Sequence, residues 1–129
     1  CDWSSDVCSS DLGSLAGLQS IPGQAIYGTA KAALHHLVET CAHEYGAKGV
    51  RINAVAPGFV RTPRLMRFPQ PFWDEVAAAL PLRRPAEPED IAKTLVFLVS
   101  DMSTCMTGAV VPCDGGIAQV AATPNLSGR

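Results

Sequence analysis

The chain has 129 residues, 47% hydrophobic and 6% aromatic, with a formal net charge of -2, which suits one globular domain or part of a larger one. No apolar run reaches the length of a membrane span, and the near-neutral balance excludes the basic character expected of a nucleic-acid or acidic-membrane partner. The cysteines are irregularly spaced, which argues against a disulfide framework.

Taken in order, residues 1–12 do not read as a signal peptide, because they carry Asp2, Asp6 and Asp11 and have no hydrophobic centre. Residues 2–12 match, residue by residue, the translation of an adapter used in short-read sequencing libraries. Residues 1–12 are therefore read as an artefact and set aside from fold reasoning. Three of the twelve acids go with them, so nine face ten Lys and Arg and the balance becomes +1. Cys41, Cys105 and Cys113 remain, an odd number that fits a reducing cytoplasm, and each is expected to be a buried small hydrophobe.

Residues 13–23 are rich in Gly and Ser and read as a loop entering a helix. From Ala25 to about Tyr45, Tyr27, Leu34, Leu37, Val38, Cys41, Ala42 and Tyr45 recur at threes and fours, the pattern of a half-buried helix that Gly46 would stop. Tyr27 and Lys31 stand four apart on one face of it. An ammonium beside a phenol favours the phenolate, so the pair is a candidate acid/base unit. Residues 50–56 are rich in β-branched side chains and read as a strand ended by Pro57-Gly58. A helix followed closely by a strand, with more helix to come, points to an α/β fold.

Prolines break residues 59–87 into short pieces, of which Phe72 to Leu80 is the best helix candidate. Leu65, Met66, Phe68, Phe72 and Trp73 make this stretch apolar, so it is either a flap over a substrate or a helix packed on the domain. Pro88-Glu89-Asp90 opens a further helix, with Ile91, Leu95, Val96, Leu98 and Val99 as its apolar face, running to about Ser100. Ala109 to Val111, with an extension to Cys113 left open, reads as a short buried strand, Asp114-Gly115-Gly116 as its turn, and residues 117–129 as a tail with little signal.

Together these stretches form a recognisable series. Ser14-Leu15-Ala16-Gly17, Tyr27-Gly28-Thr29-Ala30-Lys31, Asn53-Ala54-Val55-Ala56-Pro57-Gly58, Pro88-Glu89-Asp90-Ile91-Ala92, Thr107-Gly108 and Asp114-Gly115-Gly116 occur in order. Residues 13–116 resemble the C-terminal half of a short-chain dehydrogenase/reductase. The resemblance implies the C-terminal part of a Rossmann-type doubly wound parallel sheet, truncated before its dinucleotide-binding first half. As written, the chain is expected to carry only two strands and to be a poorly stable, aggregation-prone fragment without turnover.

The resemblance also implies roles. Ser14, thirteen residues before Tyr27, would bind the substrate carbonyl or hydroxyl. Tyr27 would be the general acid in reduction and the base in oxidation, with Lys31 holding the phenolate and bonding the nicotinamide ribose of NAD or NADP. Pro57, Gly58, Val60 and Thr62 match the segment that lines the nicotinamide, with the Val60 backbone and the Thr62 hydroxyl on its carboxamide. The implied substrate is a small alcohol or carbonyl, the implied site is cytoplasmic, and the long helix is a usual dimer surface, so a homodimer or homotetramer is expected. Asn53 is expected to secure the strand end rather than to touch substrate. Arg83 departs from the family, standing where glycine is common, and His36 replaces a frequent small residue.

Other chemistries fit less well. A serine hydrolase wants G-x-S-x-G, and Ser14 comes one place early in Gly13-Ser14-Leu15-Ala16-Gly17. His35, His36, Cys41 and His43 spread over different helix faces without a second ligand pair, so they read as surface or interface residues rather than as a metal site. Arg61, Arg64, Arg67, Arg83 and Arg84 are candidates for contact with an acidic substrate or a phosphopantetheine carrier, with solvated surface charge as the plainer alternative. A catalytically silent binding or assembly scaffold is the alternative function.

Overall fold

The computed structural model describes residues 8–119. Residues 1–7 of the segment set aside and residues 120–129 of the tail lie outside the described residues.

Three parallel strands, β1 (Cys8–Leu12), β2 (Arg51–Pro57) and β3 (Val110–Cys113), form a sheet in the order β1-β2-β3. The register runs from Cys8 opposite Arg51 to Leu12 opposite Val55, and from Ala54 opposite Val110 to Pro57 opposite Cys113. This corrects the expectation of two strands: residues 8–12, set apart for their match to an adapter translation, occupy an edge. A parallel partner needs only backbone N–H and C=O groups, which a segment of any origin supplies.

The central strand β2 buries Ala54, Val55 and Ala56 completely, as a parallel strand covered on both faces must. Helices α1 (Ala25–Tyr45) and α3 (Pro88–Val99) both pack on β2. Val55 joins Ile91 and Leu98 of α3 in the main core, with Val60 and Ala86. On the α1 side, Val38 and Ala42 are buried.

The helix boundaries follow local chemistry. Helix α1 ends at Tyr45 with Gly46 as its C-cap, as expected, although Gly46 keeps a helical φ of -56 and opens a 3-10 turn, Gly46–Lys48. That turn ends at Gly49, whose φ of 76 suits a residue without Cβ. At the start of α3, the Asp90 carboxylate accepts from the Glu87 N–H at 3.0 Å and closes the first turn. Of the predicted α3 face, Ile91 and Leu98 are buried, whereas Val96 and Val99 are exposed.

Of the two readings weighed for residues 59–87, the structure shows the helix packed on the domain. Helix α2 (Gln70–Ala79) packs Trp73 and Val76, with Leu80, into a second cluster that Phe59, Leu65, Phe72 and Ile117 complete. The Phe68 and Phe72 rings stack at 4.6 Å, and the stretch leading to them lines a cleft. Arg83 closes the turn after α2 with φ 56, the conformation for which glycine is the usual choice. Two polar residues secure the sheet from below. Arg51 donates to the carbonyls of Leu98, Ser100, Ser103 and Met106, and Asn53 bonds Met106 O at 3.0 Å and Ala109 N at 3.1 Å. The cysteines depart from expectation: Cys41 and Cys113 are half-buried and Cys105 is exposed, because short irregular turns around residue 105 leave it uncovered.

Candidate active site

The site lies at the C-terminal ends of β1 and β2, where open parallel sheets place their ligands. Beyond β1, Ser14 is extended (φ -165) and caps a 3-10 turn, Leu15–Gly17, its Oγ accepting from Ala16 N at 3.2 Å. Leu15 and Ala16 are buried and draw the turn onto α1. Close approach there requires Gly28, since a Cβ on it would lie 2.8 Å from the Ala16 carbonyl oxygen. Ser14 is thereby brought to the same cleft as Tyr27 in the first turn of α1.

This cleft has a volume of about 1330 Å³ and is lined by Ser14 and Tyr27 on one wall and by Pro57, Gly58 and Thr62 on the other. Four further polar and apolar residues of the second wall, Arg64, Leu65, Arg67 and Phe68, extend it. The Tyr27 hydroxyl, half-exposed, and the Thr62 hydroxyl make no hydrogen bond among the described residues. Lys31 sits beside the cleft rather than in its lining. Its Nζ donates to Leu12 O at 2.8 Å and lies 5.9 Å from the Tyr27 ring centroid.

Val60 is also outside the lining. Its side chain is in the core and its carbonyl accepts from Thr62 N at 2.8 Å, while its own N–H makes no hydrogen bond among the described residues. Gly58 is pressed against the turn after β3, where a Cβ would lie 2.8 Å from that of Asp114. Asp114 holds the turn by accepting from Gly116 N and Ala118 N, each at 2.8 Å.

One residue of this site was misread from the sequence. His35 is not at the surface but 5% exposed, and its Nε2 accepts from the Ser14 backbone N–H at 3.3 Å. Burial holds its pKa below 6.5, outweighing the contact with the Gly17 backbone, and nearby Lys31 acts in the same direction as burial. Nδ1 is buried against Gly17 without a well-formed hydrogen bond. The signal was present in the spacing: His35 follows Lys31 by four residues, as Lys31 follows Tyr27, which places all three on one stripe. His36, one residue on, is exposed and pairs with Glu39 at 3.6 Å.

A free phenol, an adjacent ammonium, a serine presented by a capped turn and a wall bearing a threonine can bind an oxygen and move a proton to or from it. The sequence profile of the family described as Enoyl-(Acyl carrier protein) reductase matches residues 10–118. The chain is 36% identical over 107 residues to the 3-oxoacyl-[acyl-carrier-protein] reductase FabG of Thermotoga maritima, covering 83% of this chain and 44% of that protein. Its fold matches an oxidoreductase of the short chain dehydrogenase/reductase family from Burkholderia thailandensis with a TM-score of 0.82 and 35% identity, over 88% of this chain and 45% of that one. ElxO with NADP bound matches with a TM-score of 0.82 and 30% identity, over 88% and 47%. The chain thus spans less than half the length of these three relatives. With the site geometry, these matches establish that the chain belongs to the short-chain dehydrogenase/reductase family of oxidoreductases.

Proposed function

We propose that the protein carrying this chain is an NAD(P)-dependent oxidoreductase that interconverts an alcohol and a carbonyl, with Tyr27 as its acid/base. The observation that carries this reading is the meeting of Ser14, Tyr27 and Thr62 at one cleft beyond the sheet, with Lys31 anchored to the end of β1. The residues present fit a nicotinamide. Among the described residues the Thr62 hydroxyl and the Val60 N–H are uncommitted, and Gly58 leaves its part of the wall free of side chain. ElxO, at 30% identity, holds NADP.

Ser14 holds the substrate oxygen. Tyr27 gives its proton to that oxygen in reduction and takes it back in oxidation. Lys31 spends one donor on Leu12 O, which fixes the ammonium beside the phenol and leaves other donors for the nicotinamide ribose. The cofactor supplies the hydride, and the chain supplies position and proton transfer. Residues 13–116 form the C-terminal half of the catalytic domain, the setting is the cytoplasm, and the exposed side of α1, with Leu37 and Tyr45, is a dimer surface. The uncommitted Tyr27 hydroxyl beside Lys31 favours this reading over a silent scaffold.

The test is NAD(P)H oxidation by the full-length protein with a panel of carbonyl compounds, compared with Tyr27→Phe. A loss of about 10²-fold or more is expected, and equal rates would sink the assigned role.

A further inference from the structure

We infer that the substrate of this cleft bears an anionic group, a carboxylate or a phosphate, held by Arg64 and Arg67. The inference rests on the dehydrogenase reading above and adds the chemical class of the substrate.

The five arginines singled out in the sequence separate cleanly in the structure. Arg61 pairs with Glu87 at 3.6 Å and lies over the Trp73 ring at 5.5 Å. Arg83 donates to the Ala78 carbonyl. Arg84 pairs with Asp90 at 2.7 Å. Arg64 and Arg67 line the cleft, and neither has a carboxylate within salt-bridge distance among the described residues. The described lining contains no Asp or Glu at all, so the fixed charge of this wall is of one sign.

Their placement is organised by local geometry. Arg64 caps the 3-10 turn Leu65–Arg67, and residues three apart in a 3-10 turn eclipse one another, which sets the two side chains on one side. The Arg67 Nε donates to Arg64 O at 3.1 Å, orienting the guanidinium, and its terminal nitrogens make no hydrogen bond among the described residues. Leu65 ties the turn to the Trp73 cluster. A pair of forked donors held in this way suits the oxygens of a carboxylate or phosphate. The apolar Leu65 and Phe68 of the same turn, and Ile21 elsewhere in the lining, lower the local dielectric and strengthen the attraction.

The experiment uses the full-length protein with oxocarboxylates of graded chain length, their methyl esters and the corresponding oxoalkyl phosphates. The wild type is expected to favour an anion over its neutral ester by about tenfold or more in kcat/KM, chiefly through KM. The larger preference, for carboxylates or for phosphates, identifies the group. The preference is expected to collapse toward parity in the Arg64→Gln/Arg67→Gln double variant and to persist in Lys48→Gln. Should the double variant not fold, Arg67→Gln alone is expected to lose part of the same ratio. A wild type without anion preference, or a preference that survives in the arginine variants, would overturn the inference. If ester turnover depends on Tyr27 in that case, the dehydrogenase reading stands alone, whereas absence of any Tyr27-dependent turnover removes both.

Discussion

The backbone N–H of Ser14 donates to Nε2 of His35 at 3.3 Å, so an imidazole buried on α1 supports the turn that presents the serine. That acceptor exists only while Nε2 is unprotonated. Because burial holds the His35 pKa below 6.5, the unfolded chain takes up the proton first on acidification. The contribution of His35 to stability is therefore complete above pH 6.5 and declines as pH falls through 6.5 and then through the lower folded value. Thermal unfolding of the full-length protein across this range should show a falling Tm on the acid side. His35→Asn, whose amide oxygen can accept without titrating, should flatten that arm, and an unaltered slope would assign it to other groups.

Two glycines beside His35 make a distinguishable pair. A Cβ at Gly13 would meet the imidazole at 2.3 Å, whereas one at Gly17 would meet both the imidazole at 2.6 Å and the Lys31 backbone at 2.7 Å. Each alanine substitution should destabilise by about 1–3 kcal/mol through overpacking. His35→Ala should rescue much of Gly13→Ala, because its worst clash is with a side chain. It should rescue little of Gly17→Ala, where α1 itself is in the way. Equal rescue in denaturant titrations of the double variants would contradict this geometry.

Beneath the sheet, Arg51 and Asn53 satisfy the loop between α3 and β3. Asn53 is fully buried and both donates to a carbonyl and accepts from an N–H. Asn53→Asp would set a carboxylate against Met106 O and should cost about 3 kcal/mol or more. Arg51→Met leaves several carbonyls without their donor, with a loss of about 3 kcal/mol. Both effects belong in the denaturation midpoint, and cofactor affinity measured on the folded fraction should be little changed.

At the other end of α3, the Arg84 hydrogen bond is the largest cause lowering the Asp90 pKa from 3.8 to about 2, followed by the Glu87 backbone N–H. The stability this supplies is present above pH 3.8 and is lost as pH falls through about 2. Arg84→Gln should move the Asp90 titration, followed by NMR of its side-chain carbon, back toward the ordinary carboxylate range. The residual backbone contact from Glu87 should keep it from returning fully.

The 129-residue chain alone leaves large apolar side chains uncovered: Ile26 is 90% exposed, Met102 72% and Val96 61%. Strand β3 also has no second neighbour among the described residues. The isolated chain is expected to self-associate and to lack a cooperative thermal transition. A monomeric, cooperative melt by light scattering and calorimetry would refute this.

The sequence by itself determined the helix Ala25–Tyr45, the strand that became β2, the third helix and the glycine turn after β3, because hydrophobic period, β-branched content and the chemistry of Pro, Gly and Asp act locally. It also specified Ser14, Tyr27 and Lys31 as candidates, since one helical turn sets the spacing of the last two. Tertiary structure decided what depends on distant partners. Residues 8–12 form a strand because β2 offers backbone bonds that composition does not record. His35 is buried because the Gly13–Gly17 turn folds over it, while His36, with the same chemistry, points to solvent. Of five similar arginines, Arg61 and Arg84 meet carboxylates, Arg83 meets a carbonyl, and Arg64 and Arg67 line the cleft, since a charge on the chain acquires its role from the groups the fold brings within reach.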